Sequence, residues 1–304
     1  MRSQETYKKY TGLGVAITTP FKDGKIDFHN LERLVHHKID NGVDYIVALG
    51  STGEGNLLSE KEQKEILRFV VEHVDKRVPV VAGNLSDIYT SDVIDKIEQF
   101  DLTGLDSLMI SAPSYVKPPQ EGMYQHFMAI AEKSPLPIII YNVPGRTRSN
   151  LEWQTSTRLA KDSDVFIGLK EAAGDLIQTI HITKNKPKDF FVASGDDELA
   201  LAMMANGVEG LISVIGNAFP AETKQMIDLA LKENYKEAVK YQHELFSIYQ
   251  WIYNEGNPAG IKAACELLGF GSKEVRLPLM PLSQASYDRL EEGMKYIAPR
   301  FDVL

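Results

Sequence analysis

The segment Phe166-Ile-Gly-Leu-Lys170-Glu-Ala-Ala-Gly174 places a lysine at the C-terminal end of a short apolar strand pattern. A strand that is apolar on both faces is typical of a parallel sheet covered by helices on both sides. Lysine is almost never buried without a partner, and burial lowers its pKa, which frees the amine for attack on a carbonyl. On the strand alone, the favoured alternative is that Lys170 caps the strand and extends to solvent. The remainder of the sequence decides between these interpretations.

Apolar strand patterns alternate with amphipathic helix patterns along the chain. Strands are predicted at residues 14–18, 45–49, 78–82, 107–111, 138–141, 166–170, 190–194 and 210–214. The helix patterns between them include 31–41, 60–74, 121–133 and 198–206. Ser59 followed by Glu62 is a capping-box pattern, which marks a helix start. Eight strand–helix units predict an α/β protein with a (β/α)₈ TIM barrel.

The chain after Pro220 has only helical patterns, at about 235–254, 258–268 and 284–297. We therefore expect a C-terminal helical appendage, with a catalytic barrel at 1–233 and a helical subdomain at 234–304. An open doubly wound sheet is the alternative fold. The absence of a Gly-x-Gly-x-x-Gly motif after the first strand disfavours it.

Composition excludes several classes of protein. The 304 residues are 43% hydrophobic and carry a formal net charge of -9 without a block of Lys or Arg, so nucleic acid and anionic membranes are poor candidate partners. The single cysteine, Cys265, excludes an internal disulfide framework and fits a reducing compartment. No apolar run approaches the length of a membrane span, and the first residues are too polar for a signal peptide. We expect a soluble, cytoplasmic protein.

Polar residues follow the predicted strands, and in a barrel these loops meet at one mouth. The turn Gly50-Ser-Thr-Gly53 has two hydroxyls and a flexible backbone, which suit an anion. An ordinary strand–helix turn is the alternative for this segment. Asp196 and Asp197, after strand seven, would repel a phosphate, so a carboxylate is the better candidate ligand.

Proton transfer and substrate binding have candidates after strand five. Tyr141 ends that strand and can donate or accept a proton if Ser51 and Tyr115 relay it. The alternative is a core tyrosine with its hydroxyl at the rim. Arg146 can hold a carboxylate in a bidentate fork, although a lone loop arginine is by default a solvated charge.

Metal and serine hydrolases have little support. None of the seven histidines forms a His-x-His or His-Glu-x-x-His pattern, and no Gly-x-Ser-x-Gly elbow is present. A buried lysine, a tyrosine hydroxyl and a carboxylate-binding turn together indicate amine–carbonyl chemistry. The protonated imine is itself the electron sink, so we expect no metal and no cofactor.

Five motifs resemble the pyruvate-dependent class I aldolase/lyase family. They are Gly50-Ser-Thr-Gly-Glu54, Tyr141-Asn-Val-Pro-Gly-Arg-Thr147, Leu169-Lys-Glu-Ala172, Ser194-Gly-Asp-Asp197 and Asn257-Pro-Ala-Gly-Ile-Lys262. The resemblance covers nearly the whole chain. It implies a Schiff base on Lys170, with Tyr141, Ser51 and Tyr115 as the proton relay. It further implies Ser51 and Thr52 at the pyruvate carboxylate, Arg146 at the carboxylate of an aldehyde substrate, and Ile212 lining the pyruvate site.

The same resemblance implies the condensation of pyruvate with L-aspartate 4-semialdehyde in lysine and diaminopimelate biosynthesis. The alternatives are an aldolase for a 2-keto-3-deoxy sugar acid or N-acetylneuraminate, and a non-catalytic barrel that acts as a binding module. The family implies that Tyr115 acts across a dimer interface, in a homotetramer (a dimer of dimers) or a homodimer. Ser114 and the segment Gly83-Asn-Leu-Ser-Asp87 depart from the family pattern at the site where lysine inhibits relatives. We therefore expect weak or absent inhibition by L-lysine.

Overall fold

The computed structural model describes residues 1–83 and 85–297, and within them parallel strands form a closed barrel. The barrel strands are β1 Gly12–Ala16, β2 Tyr45–Ala48, β3 Val80–Gly83, β4 Ser107–Ser111, β5 Ile138–Asn142, β6 Phe166–Glu171, β7 Phe191–Ser194 and β8 Gly210–Ser213. Each strand pairs with the next one in the chain, and β8 pairs with β1 to close the ring. The predicted (β/α)₈ TIM barrel with a helical appendage is confirmed.

Helices surround this barrel. Those of the barrel are Gln4–Lys9, Phe28–Asp40, Glu60–Val74, Thr90–Gln99, Gln120–Lys133, Pro144–Thr147, Trp153–Asp162, Leu176–Asn185, Ala200–Met204 and Pro220–Leu231. Those of the appendage are Tyr235–Tyr253, Ala259–Leu267 and Gln284–Ile297. The capping box is present, because Ser59 and Glu62 each accept a hydrogen bond from the other's backbone N–H. In the part of the chain that the structure describes, no helix is both long and apolar enough to cross a bilayer.

The barrel interior is filled by large side chains, so a ligand can enter only at the mouth. Tyr10 stacks on Phe191 with ring centres 5.4 Å apart, and its hydroxyl hydrogen-bonds the hydroxyl of Ser107 at 2.9 Å. Gly168 of β6 faces the same Phe191 ring, and a Cβ atom at this position would lie 2.3 Å from it. Glycine is therefore required two residues before Lys170.

The appendage packs on the chain that follows β8. Val214, Ile215 and Phe219 share an apolar cluster with buried residues of the three appended helices. The turn between helices Pro220–Leu231 and Tyr235–Tyr253 contains Glu233 in the left-handed conformation. The division of domains at residue 233 stays a prediction, and residues 298–304 of the predicted subdomain lie outside the described residues.

A buried ion pair joins the appendage to the turn after β2. Glu54 Oε1 accepts a hydrogen bond from Lys262 Nζ at 2.6 Å, and Glu54 Oε2 accepts one from the backbone N–H of Arg276 at 2.9 Å. Both side chains of the pair are fully or almost fully buried. The Lys262 ammonium also lies 4.0 Å from the centre of the Phe21 ring. Removal of one partner would leave an uncompensated charge in a dry environment.

We predict that Lys262→Ala lowers the free energy of unfolding by about 3–5 kcal/mol, the usual cost of breaking a buried pair. Urea unfolding followed by circular dichroism measures the change. Lys240→Ala is the control, because Lys240 forms an exposed ion pair with Glu237 and its loss should cost little. Equal effects of the two substitutions would contradict the role assigned to the buried pair.

Candidate active site

A cavity of about 300 Å³ opens at the mouth formed by the C-terminal ends of the strands. The chemically active residues that line it are Ser51, Thr52, Tyr141, Arg146, Lys170, Asp196, Glu198, Tyr253 and Asn257. Active sites of (β/α)₈ enzymes lie at this end of the barrel. Most of these residues follow strands β2, β5, β6 and β7, whereas Tyr253 and Asn257 come from the appendage.

Lys170 lies near the end of β6 with only 4% of its surface exposed. Its Nζ is 4.5 Å from the centre of the ring of Tyr141, its register partner on β5. Gly195 leaves room for the lysine, since a Cβ atom there would lie 2.9 Å from Lys170 Cε. Burial lowers the pKa of Lys170 to about 8; the charge of Asp197 opposes this effect and that of Arg146 adds to it. A substantial fraction of the amine is therefore neutral, and nucleophilic, near neutral pH.

Tyr141 ends β5 in the same cavity and is buried. Burial raises the pKa of its phenol, while the charge of Arg146 and a hydrogen bond with Ser51 act in the opposite direction. The phenol is therefore protonated at neutral pH and can donate a proton. Its link to Ser51 provides one step of the predicted relay.

The turn after β2 is a single 3₁₀ turn, Ser51–Gly53. Its glycine is required, because a Cβ atom on Gly53 would lie 2.9 Å from the carbonyl oxygen of Ile17. Thr52 is buried, and its hydroxyl accepts a hydrogen bond from Asn257 Nδ2 at 3.0 Å. The appendage thus orients a hydroxyl of the turn predicted to bind a carboxylate.

Arg146 lies on the short helix Pro144–Thr147 with its side chain exposed. One of its terminal nitrogens donates to the backbone carbonyl of Asn257 at 3.2 Å. Arg146 lines both the 300 Å³ cavity and a second cavity of about 680 Å³, which share Ser51 and Tyr141. The guanidinium therefore lies where a second substrate would enter.

Two predicted site residues do not line the smaller cavity. Tyr115 is 85% exposed and has a left-handed backbone conformation, and its N–H donates to the carbonyl of Thr147 at 3.1 Å. Ile212 is fully buried and belongs to the apolar cluster inside the barrel that also includes Tyr141. The structure therefore brings together Lys170, Tyr141, Ser51, Thr52 and Arg146.

The sequence analysis assigned no role to Tyr253 or Asn257, and it used Asp197 only as a charge that would repel a phosphate. Asn257 lies in one of the five motifs and Asp197 follows a predicted strand, so both residues could be singled out from the sequence. Their hydrogen-bond partners could not. The structure places Tyr253 Oη 2.5 Å from Asp197 and Asn257 against Thr52. Across residues 1–83 and 85–297, no group of three or more His, Cys, Asp or Glu side chains is arranged to hold a metal ion.

A (β/α)₈ barrel with a desolvated lysine in one cavity with a turn that is predicted to bind a carboxylate is typical of imine-forming lyases. The model of the dihydrodipicolinate synthetase family matches residues 9–297, and the chain belongs to this family. The resemblance drawn from the motifs is confirmed.

Individual relatives agree with this assignment. A protein of Parabacteroides distasonis named 4-hydroxy-tetrahydrodipicolinate synthase is 41% identical over 288 residues, covering 94% of this chain and 97% of the relative. A solved structure of a monomeric dihydrodipicolinate synthase variant has a TM-score of 0.93 and 33% identity, covering 95% of this chain and 97% of its own. The lysine-bound dihydrodipicolinate synthase of Cyanidioschyzon merolae has a TM-score of 0.91 and 33% identity, covering 95% and 98%.

We predict that Tyr141→Phe lowers turnover by roughly 10²–10⁴-fold, the range for a lost general acid–base, while pyruvate still forms an imine. Steady-state kinetics and borohydride trapping measure the two effects separately. Tyr45→Phe is a matched control, since Tyr45 belongs to the same barrel-interior cluster but does not line the cavity. Unchanged turnover in Tyr141→Phe would mean that Tyr141 is structural.

Proposed function

We propose that this protein condenses pyruvate with L-aspartate 4-semialdehyde through a Schiff base on Lys170. The product is 4-hydroxy-tetrahydrodipicolinate, in lysine and diaminopimelate biosynthesis. The observation that carries the proposal is the buried Lys170 amine in one cavity with Tyr141, Arg146 and the turn at Ser51 and Thr52. Relatives named for this activity, at about 41% identity over nearly the whole chain, support it.

The first half-reaction needs a neutral amine and a bound 2-oxo acid. The carboxylate of pyruvate binds to the turn at Ser51 and Thr52, and the neutral Lys170 amine attacks C2. The carbinolamine loses water to give a protonated imine, and loss of a proton from C3 gives the enamine. Tyr141, linked to Ser51, transfers the protons that these steps require.

The second half-reaction joins the two substrates. Arg146 binds the carboxylate of the semialdehyde at the rim, which holds the aldehyde carbon over the enamine. The enamine C3 then attacks that carbon, and the aldehyde oxygen takes up a proton. Attack of the substrate's own amino group on C2 closes the ring and releases the Lys170 amine.

We predict that Arg146→Ala raises the KM for the semialdehyde roughly ten- to a hundredfold, the loss expected for one charge-assisted interaction. Imine formation with pyruvate should change little, because the proposed partners of the pyruvate carboxylate are Ser51 and Thr52 and not Arg146. Arg146→Lys keeps the positive charge but cannot form a bidentate interaction. Its KM for the semialdehyde should lie between the values for the unmodified protein and Arg146→Ala. A defect confined to pyruvate binding would contradict the assignment.

Release of pyruvate from 2-keto-3-deoxygluconate or N-acetylneuraminate, in place of condensation, would favour the sugar-acid alternatives.

The exposed Tyr115 supports the proposal that a second copy of this chain completes the relay. Ile88, Tyr89, Tyr115 and Val116 are all exposed apolar side chains, and Ile88 lines the larger cavity. A homodimer, or a homotetramer built from two dimers, would cover them and bring Tyr115 to the partner's cavity. Mixing inactive Lys170→Ala with inactive Tyr115→Phe should restore part of the activity, since one mixed site contains both residues. No restoration from demonstrably mixed dimers would contradict relay across the interface.

We also propose that L-lysine inhibits weakly or not at all. The carboxylates of the larger cavity that could bind an added ammonium are already paired within the chain, Asp87 with Lys96 and Glu60 with Lys64, each at 2.5 Å. Any effector ammonium must compete with these lysines. A titration should show little inhibition below millimolar L-lysine, and half-inhibition at micromolar concentration would contradict the proposal.

We assign the protein to the cytoplasm, because its cysteine is a buried free thiol and the proposed substrates are small metabolites. Cell fractionation with detection of the tagged protein tests this assignment, and recovery in an extracytoplasmic fraction would contradict it.

A further inference from the structure

Asp197 is a buried carboxylate, and its hydrogen-bond donors within residues 1–83 and 85–297 are all neutral. Its Oδ1 accepts from the hydroxyl of Ser213 at 2.5 Å. Its Oδ2 accepts from the N–H groups of Val214 at 2.9 Å and Ile215 at 3.2 Å, and from Tyr253 Oη at 2.5 Å. Neutral donors hold a carboxylate in its charged form without cancelling its charge. A buried anion fixed in this way acts strongly on nearby charges.

Two of the residues that donate to Asp197, Val214 and Tyr253, line the same cavity as Lys170, so the carboxylate lies directly behind a wall of that cavity. Lys170 is the reactive group on which its charge acts. Burial and the charge of Arg146 both favour the neutral amine, and Asp197 is the anion that favours the cation. The other titratable groups around Lys170 and Asp197 are Tyr141, Glu171, Asp196, Glu198, Tyr249 and Tyr253. Asp196 and Glu198 line the cavity, whereas Glu171 accepts its hydrogen bonds from Asn142, Ala173 and Gln178 on the helix side of the strand.

We propose that Asp197 is the counter-charge of the Lys170 imine, and that Tyr253 holds this carboxylate in place. The inference rests on the proposed function, because it concerns the imine that Lys170 forms with pyruvate. The neutral amine becomes a protonated imine at a position where Lys170 is almost fully buried, and a buried cation is costly without a compensating charge. Asp197 supplies that charge from behind the cavity wall formed by Val214 and Tyr253, and is not itself among the residues that line the cavity. Asp197 and Tyr253 are therefore positioning residues.

Tyr253 gives the appendage a part in this arrangement. It is the last residue of helix Tyr235–Tyr253, and it both lines the cavity and donates to Asp197. The Tyr253 hydroxyl draws part of the carboxylate's charge toward itself. Removal of the hydroxyl should therefore leave a carboxylate whose field acts more strongly on Lys170.

The test is the pH dependence of borohydride trapping of the pyruvate imine, whose rate rises as the Lys170 ammonium loses its proton. Asp197→Asn removes the charge and should move the midpoint of this rise down by about 1 pH unit, since the cation loses its counter-charge. Tyr253→Phe keeps the charge and should move the midpoint up. Asp44→Asn is the control and should leave the midpoint in place, because Asp44 directly precedes β2, at the end of the barrel opposite the mouth, where its carboxylate accepts the N–H of Leu13.

Opposite shifts in Asp197→Asn and Tyr253→Phe support the inference. An unchanged midpoint in both folded variants, shifts in the same direction, or an equal shift in Asp44→Asn would overturn it. If Asp197→Asn does not fold, Tyr253→Phe decides alone, an upward shift supporting the inference and any other result overturning it. Absence of trapping in the unmodified protein would instead refute the proposed function, so the two failures are distinguishable.

Discussion

The active site depends on the burial of one amine, that of Lys170 at the end of β6. A buried ammonium is costly, so the surroundings determine how often the group is neutral and reactive. The closed barrel supplies the burial from below, because Tyr10, Phe191 and other large side chains fill its interior. Gly195 provides the space in which the lysine lies. The same packing that stabilises the barrel therefore lowers the pKa of the proposed nucleophile.

The appendage is part of this site as well as of the core. Four interactions join it to the barrel mouth. They are Lys262 with Glu54, Asn257 with Thr52, the Asn257 carbonyl with Arg146, and Tyr253 with Asp197. Together they fix the loops that follow β2, β5 and β7. A barrel mouth built from loops alone would be mobile. These contacts hold the proposed reacting groups in fixed positions relative to one another.

Most of the fold could be predicted from sequence. Strands that are buried on both faces and helices that are buried on one face each have a recognisable apolar pattern. The predicted bounds of a strand and a helix are wrong where local groups interrupt the regular backbone hydrogen bonds. The third strand begins at Val80, after Pro79, whose nitrogen cannot donate to the sheet. The helix predicted at 198–206 is shorter, Ala200–Met204, because Asp196 Oδ1 accepts the N–H groups of Glu198 and Leu199. The two-residue strands Phe21–Lys22 and Lys25–Ile26 are too short to show a period.

The candidate site was predictable where residues lie near the C-terminal ends of strands, as Lys170 and Tyr141 do. Contacts from the appendage were not predictable, since Thr52 and Asn257 are 205 positions apart and no pattern links them. The exposure of Tyr115 likewise depends on the tertiary structure.

Incubation with pyruvate and borohydride, followed by peptide mass spectrometry, tests the central claim most directly. Lys38 and Lys262 serve as internal controls, because both are buried but neither lines the cavity, and burial lowers the pKa of Lys38 to about 8 as well. The account predicts a reduced pyruvyl group on Lys170 and none on Lys38 or Lys262. A label on another lysine, or no label at any lysine, would contradict it.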